Sequence, residues 1–199
     1  MLVSDKHKIL FVHIPKTAGS CVRMMMRQID SECYEYKEHH SILQEPDADI
    51  FKDYFKFTVV RNSYKLCASF YRFMTEKIEA LDERQESVGM IDLIQGQITT
   101  TKNSTDWQRG QAKNPFPVQL DYFSKKEKVF VDKVYIYDKG LDVQMEDLKK
   151  KINFKGLLDK KTHTNYFGDY DWKSYYDEKT IEYITRVCQK DIKHFDFKF

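Results

Sequence analysis

The stretch from Lys8 to Ile29 changes character twice, and those changes leave few folds open. Lys8-Ile9-Leu10-Phe11-Val12 has the β-branched and aromatic make-up of a buried strand. Pro15 ends the run, and Gly19 admits a backbone turn that a side chain would obstruct. From there Val22, Met25, Met26 and Ile29 recur at helical spacing. A strand, a tight basic turn and a helix N-terminus in that order make a cradle for an anion. Backbone N–H groups and the positive end of the helix dipole converge there, and Lys16 adds a full charge. The same order also suits an ordinary strand–turn–helix corner with a surface lysine.

A second corner of the same kind follows. Phe55-Lys56-Phe57-Thr58-Val59-Val60 is another β-rich run, followed directly by Arg61-Asn62-Ser63-Tyr64. A helix is predicted over 63–81, because Cys67, Phe70, Tyr71, Met74, Ile78 and Leu81 share one face. Arg61 therefore stands where a strand ends and a helix begins, the place where open α/β sheets bind ligands. Ser69 lies two turns along that helix. An arginine in this position also serves as a structural ion-pair partner. Taken together, two anion-ready turns point to a ligand with two separated phosphate groups.

The remaining pattern predicts strands over 8–14, 33–36, 55–60 and 133–138, and helices over 20–30, 63–81, 88–95, 117–124, 141–152 and 176–193, with an irregular stretch from 96 to 116. Strands alternating with helices predict an α/β domain with a mostly parallel central sheet in a three-layer, P-loop nucleotide-binding-like arrangement. At 199 residues the chain is expected to be a single domain over 1–199. Its 33 basic and 31 acidic residues nearly balance, so no global field calls for nucleic acid. Cys21, Cys33, Cys67 and Cys188 form no C-x-x-C pair, which suits a reducing compartment. No apolar run approaches the ~18 residues of a membrane span, and Ser4-Asp5-Lys6-His7-Lys8 interrupts any leader, so a cytoplasmic location away from the membrane is expected.

The stretches His13-Ile14-Pro15-Lys16-Thr17-Ala18-Gly19-Ser20 and Phe57 to Phe73 resemble the carbohydrate sulfotransferases of the heparan and chondroitin type, and their soluble bacterial relatives. The tail from Tyr175 to Phe195 is similar to that family's closing helix. The resemblance implies a donor, PAPS (3′-phosphoadenosine 5′-phosphosulfate), released as PAP. It implies that Pro15, Lys16, Thr17, Ala18, Gly19 and Ser20 wrap the phosphosulfate, and that Arg61 and Ser69 hold the 3′-phosphate. Ser63 stands where the family has proline, Lys65 where it commonly has arginine, and Tyr137-Asp138 where it has a phenylalanine–glutamate pair. Lys65 keeps the charge but not the bidentate fork.

Sulfuryl transfer proceeds in line, so positioning and charge stabilisation outweigh covalent steps. Lys16 is the candidate for neutralising the leaving group, and no metal is required. The acceptor hydroxyl needs a base. The resemblance, through an H-x-[ST] pattern, makes His39 of His39-His40-Ser41 that base, with His40 one residue out of register. Adjacent histidines chelate poorly, and no carboxylate or cysteine has ligand spacing to them. The expected acceptor is a saccharide hydroxyl, with Arg109, Gln119, His163 and Asn165 as candidate contacts. Two other classes stay open: a P-loop kinase or NTPase, although the loop is not G-x-x-x-x-G-K-[ST], and a non-catalytic PAP- or nucleotide-binding protein of the same fold.

Overall fold

In the computed structural model the described residues are 1–37, 41–44, 48–79, 89–91, 118–126, 128–155 and 170–199. The chain divides into two compact units, Met1–Arg61 with Gln119–Gly168, and Asn62–Val118 with Asp169–Phe199. The irregular stretch 96–116 and all but three residues of the predicted helix 88–95 lie outside the described residues.

The first unit opens on a hairpin of β1 (Leu2–Ser4) and β2 (Ile9–Val12), turning through Lys8, whose φ of 52° lies in the left-handed region. Helix α1 (Gly19–Ile29) follows, then β3 (Tyr34–Glu35), which pairs antiparallel with β1. Next comes β4 (Phe55–Val60), parallel to β2 with Val12 opposite Thr58. A small separate hairpin joins β5 (Ser124–Lys125) and β6 (Lys128–Val129). Then β7 (Lys133–Ile136) runs parallel to β4; helix α2 (Ser63–Glu79) belongs to the second unit and α3 (Leu141–Lys151) to the first.

Five strands lie in the order β3-β1-β2-β4-β7. The sheet is mixed: β2, β4 and β7 are parallel, whereas β1 and β3 are antiparallel to their neighbours. This corrects the expected mostly parallel sheet. The strand predicted over 8–14 is the return limb of a hairpin whose three-residue outgoing limb is too short for its pattern to register.

Ile9, Phe11, Phe57, Val59 and Tyr135 form one buried row of the sheet and pack against Cys21, Val22, Met25, Met26 and Ile29 of α1 and Leu141, Met145 and Leu148 of α3. Phe11 stacks on Phe57 with ring centroids 5.1 Å apart, and Tyr135 meets Phe57 edge-on at 5.8 Å. The opposite row, Leu10, Val12, Thr58 and Val60, is buried too, which is why β2 reads as an unbroken apolar run and β4 closes on Val59-Val60.

The second unit packs α2 with α4 (Glu178–Val187) and α5 (Gln189–Phe195) around Tyr64, Cys67, Phe70, Met90, Ile184 and Cys188. The helix predicted over 176–193 is thus two helices broken at Cys188, while one apolar stripe runs through both. Asp177 caps α4, its carboxylate accepting from the Thr180 N–H at 2.7 Å. Among the described residues no helix is long and apolar enough to cross a membrane.

Candidate functional site

Because β2, β4 and β7 are parallel, their carboxyl ends share one edge of the sheet, and the residues that follow each strand gather there. After β2 come His13 to Ala18, after β4 comes Arg61, and after β7 come Tyr137 and Asp138. All of these belong to the first unit.

The loop after β2 is bent by two residues in left-handed conformation, Lys16 (φ 64°) and Ala18 (φ 66°). Residues without a β-carbon penalty usually fill such positions, and strained backbone of this kind clusters at ligand sites. A residue of negative φ followed by one of positive φ turns successive N–H groups toward a common centre, the geometry of an anion nest. The Thr17 hydroxyl closes the turn by donating to the Ile14 carbonyl at 2.8 Å, and the Ala18 carbonyl accepts the first bond of α1 from Val22 at 3.1 Å. Helix α1 opens with no side-chain cap and no acidic residue in its first turn, so its positive end meets no anion from its own sequence. Pro15, Thr17 and Gly19 are buried, whereas Lys16, Ala18 and Ser20 are half-buried.

Gly19 is fixed by its neighbour. The imidazole of buried His13 occupies the space that a β-carbon at position 19 would take. His13 is held there by stacking on Phe11, centroids 5.5 Å apart. The sequence marks Gly19 as a turn that a side chain would obstruct, and the obstruction is the buried His13 ring.

Arg61 is held on three sides. Its N–H donates to Gln119 Oε1 and its carbonyl accepts from Gln119 Nε2, both at 2.8 Å. Its guanidinium carbon lies 4.9 Å from the centre of the Tyr137 ring, and its Nη1 donates to the Lys16 carbonyl in a long bond of 3.5 Å. Its buried Nε has no hydrogen-bond partner among the described residues. The loop after β2 and the residue after β4 are therefore in direct contact.

Gln119 is wholly buried and its amide engages the Arg61 backbone. The sequence suggested an acceptor contact for this residue; its amide is taken up by the Arg61 backbone. Ser41, overlooked as a functional residue in its own right, anchors its segment to the same short turn, Gln119–Tyr122: its hydroxyl lies 3.1 Å from the Asp121 carbonyl and 2.9 Å from that of Tyr122, and it accepts from the Leu43 N–H at 3.1 Å. The H-x-[ST] pattern was the signal that could have found it.

Four candidate residues, His39, His40, Arg109 and His163, lie outside the described residues, as does Asn165. Ser69 is half-buried on α2 in the second unit. Asn62 caps α2, its Oδ1 accepting from the Tyr64 N–H at 3.0 Å and its Nδ2 donating to the Lys198 carbonyl at 2.7 Å. The Ser63 hydroxyl is buried with no hydrogen-bond partner among the described residues. Lys65 lies over the Trp172 ring at 5.9 Å.

All four cysteines are free thiols, and partial burial pushes Cys33 up to about 11, while full burial beside Cys188 raises Cys67 well above an ordinary thiol. Among the described residues no group of three or more His, Cys, Asp or Glu side chains could hold a metal ion.

No known protein family, no curated protein and no solved structure matches this chain. The site is therefore described by its own chemistry: a turn with two left-handed residues, an uncapped helix N-terminus, a lysine and a braced arginine.

Proposed function

We propose that this chain is a PAPS-dependent sulfotransferase, transferring a sulfuryl group to a hydroxyl, with a saccharide as the acceptor. One observation carries the reading: the Lys16 nest and Arg61 follow adjacent parallel strands, and the arginine lies against the nest. A donor with a phosphosulfate at one end and a phosphate at the other suits two such positions. The strand–nest–helix order of β2 and α1 also supports a P-loop-like fold, with three layers as the proposed arrangement. Four free thiols suit a reducing compartment, the cytoplasm.

When bound, PAPS supplies the activated sulfuryl group. The first-turn N–H groups of α1 and the nest hold its 5′ end, and the Lys16 ammonium stabilises charge building on the leaving phosphate. Arg61 takes the 3′-phosphate, for which a guanidinium fork is suited. The histidine at 39 removes the acceptor proton, and Ser41 ties its segment to the turn that also carries Gln119.

Radiolabelled PAPS offered with a panel of saccharides tests this. Label transfer without Mg²⁺ is the expected result. Turnover of ATP with Mg²⁺ and none of PAPS identifies a kinase, and PAP binding with no transfer identifies a binding protein. His39→Ala should keep PAP affinity and lose roughly 10²–10⁴ in turnover. The wild-type rate should rise with pH through about 6.5, and that limb should vanish in the variant. His40→Ala is the control: if it alone abolishes transfer, the base is His40. If neither matters, His163 is the next to test.

A further inference from the structure

The carboxyl ends of two parallel strands are each finished by a glutamine acting as a short piece of strand. At β7, Gln144 Oε1 accepts from the Ile136 N–H and Gln144 Nε2 donates to the Ile136 carbonyl, both at 2.6 Å. At β4, Gln119 does the same for Arg61. The first amide pairs with an edge strand. The second fixes the backbone of a residue whose side chain faces the nest.

With its backbone fixed by Gln119 and its guanidinium against the Tyr137 ring, Arg61 has little freedom to reorient. Its Nη1 donates to the Lys16 carbonyl in a long bond of 3.5 Å. Arginine binds phosphate best through two parallel N–H groups, so a guanidinium already held in one orientation is suited to a terminal phosphate. Gln119 cannot itself touch such a ligand, because it is wholly buried.

We infer that Gln119 and Tyr137 are positioning residues: they hold the Arg61 guanidinium beside the nest for a terminal phosphate and so give the site its preference for a nucleotide carrying a 3′-phosphate. The inference rests on the donor reading above. Rigid placement of a charged fork matters because the cost of ordering it is then met in the free protein rather than on binding. The Tyr137 contribution comes from the ring face, not the hydroxyl.

Calorimetry on the full chain with PAP and with adenosine 5′-monophosphate (AMP), which lacks the 3′-phosphate, separates positioning from general stability. Gln119→Met keeps the side-chain length and removes both hydrogen bonds. It should weaken PAP binding about tenfold and leave AMP binding unchanged. Tyr137→Leu should do the same, whereas Tyr137→Phe should bind PAP like wild type. Parallel losses for PAP and AMP, or equal effects of Leu and Phe at 137, overturn the inference. A wild type that loses PAP affinity on Arg61→Ala but is indifferent to Gln119→Met and Tyr137→Leu overturns it while leaving the donor reading intact. A wild type that does not prefer PAP to AMP removes both. Should Gln119→Met fail to fold, the Tyr137 pair still decides.

Discussion

A methyl group at position 19 would lie inside the imidazole of His13, so Gly19→Ala must displace a buried ring or the nest itself. Overpacking of this kind costs roughly 1–3 kcal/mol. Urea denaturation should show that loss, and His13→Ala in the same chain should recover part of it; a double variant no better than Gly19→Ala would show that the ring is not the obstacle. Asp30 gives a pH-dependent case. It is buried, accepts from the Ser4 hydroxyl at 2.5 Å and from the Glu32 N–H at 3.0 Å, and its carboxyl is held below the usual range chiefly by the Ser4 bond. A depressed folded-state pKa contributes stability above the unfolded value of about 3.9 and loses it as pH falls through the folded value. Asp30→Ala should therefore destabilise by about 1–3 kcal/mol at pH 7, and the gap to wild type should narrow below about pH 4. A gap that stays constant through the acid range would contradict this. At this scale Lys16, Gly19 and Arg61 were legible because each is marked by its place between a strand run and a helix repeat. The Gln119 clamp was not, since its partner is 58 residues away and nothing local distinguishes a buried amide from a surface one.

Among the elements, β4 was predicted with its observed bounds, and α1, α2 and α3 to within a residue or two, because each has one sharply apolar face or run. The three-residue β1 is set by pairing rather than by its own sequence, so the antiparallel half of the sheet was missed and its parallel character overread, although β3 lies within the strand predicted over 33–36. The start of α2 shows what a substitution in a recognised motif does locally. Asn62 supplies the cap, and Asn62→Ala should cost about 1 kcal/mol by thermal or denaturant unfolding. Ser63, one residue on, has a buried hydroxyl without a partner among the described residues. Ser63→Ala removes an unsatisfied group and should be neutral or slightly stabilising. A loss as large as that of Asn62→Ala would mean that the hydroxyl has a partner in solution.

For the whole molecule, a mixed sheet brings three parallel strand ends to one edge, and on that edge lie the nest, the braced arginine and Tyr137. The chain crosses from the first compact unit to the second between Arg61 and Asn62, so the proposed phosphate ligand closes the first unit's segment and the helix cap opens the second's. Everything proposed of function rests on that edge binding a nucleotide with two charged ends. The most direct measurement is calorimetric titration of PAP, without Mg²⁺, into the wild-type chain and into Arg61→Ala. The account predicts binding by the wild type and a loss of about 2–4 kcal/mol in the variant, the cost of removing one partner of a buried charge pair. Absence of PAP binding by the folded wild type, or equal affinity in the two proteins, would contradict it.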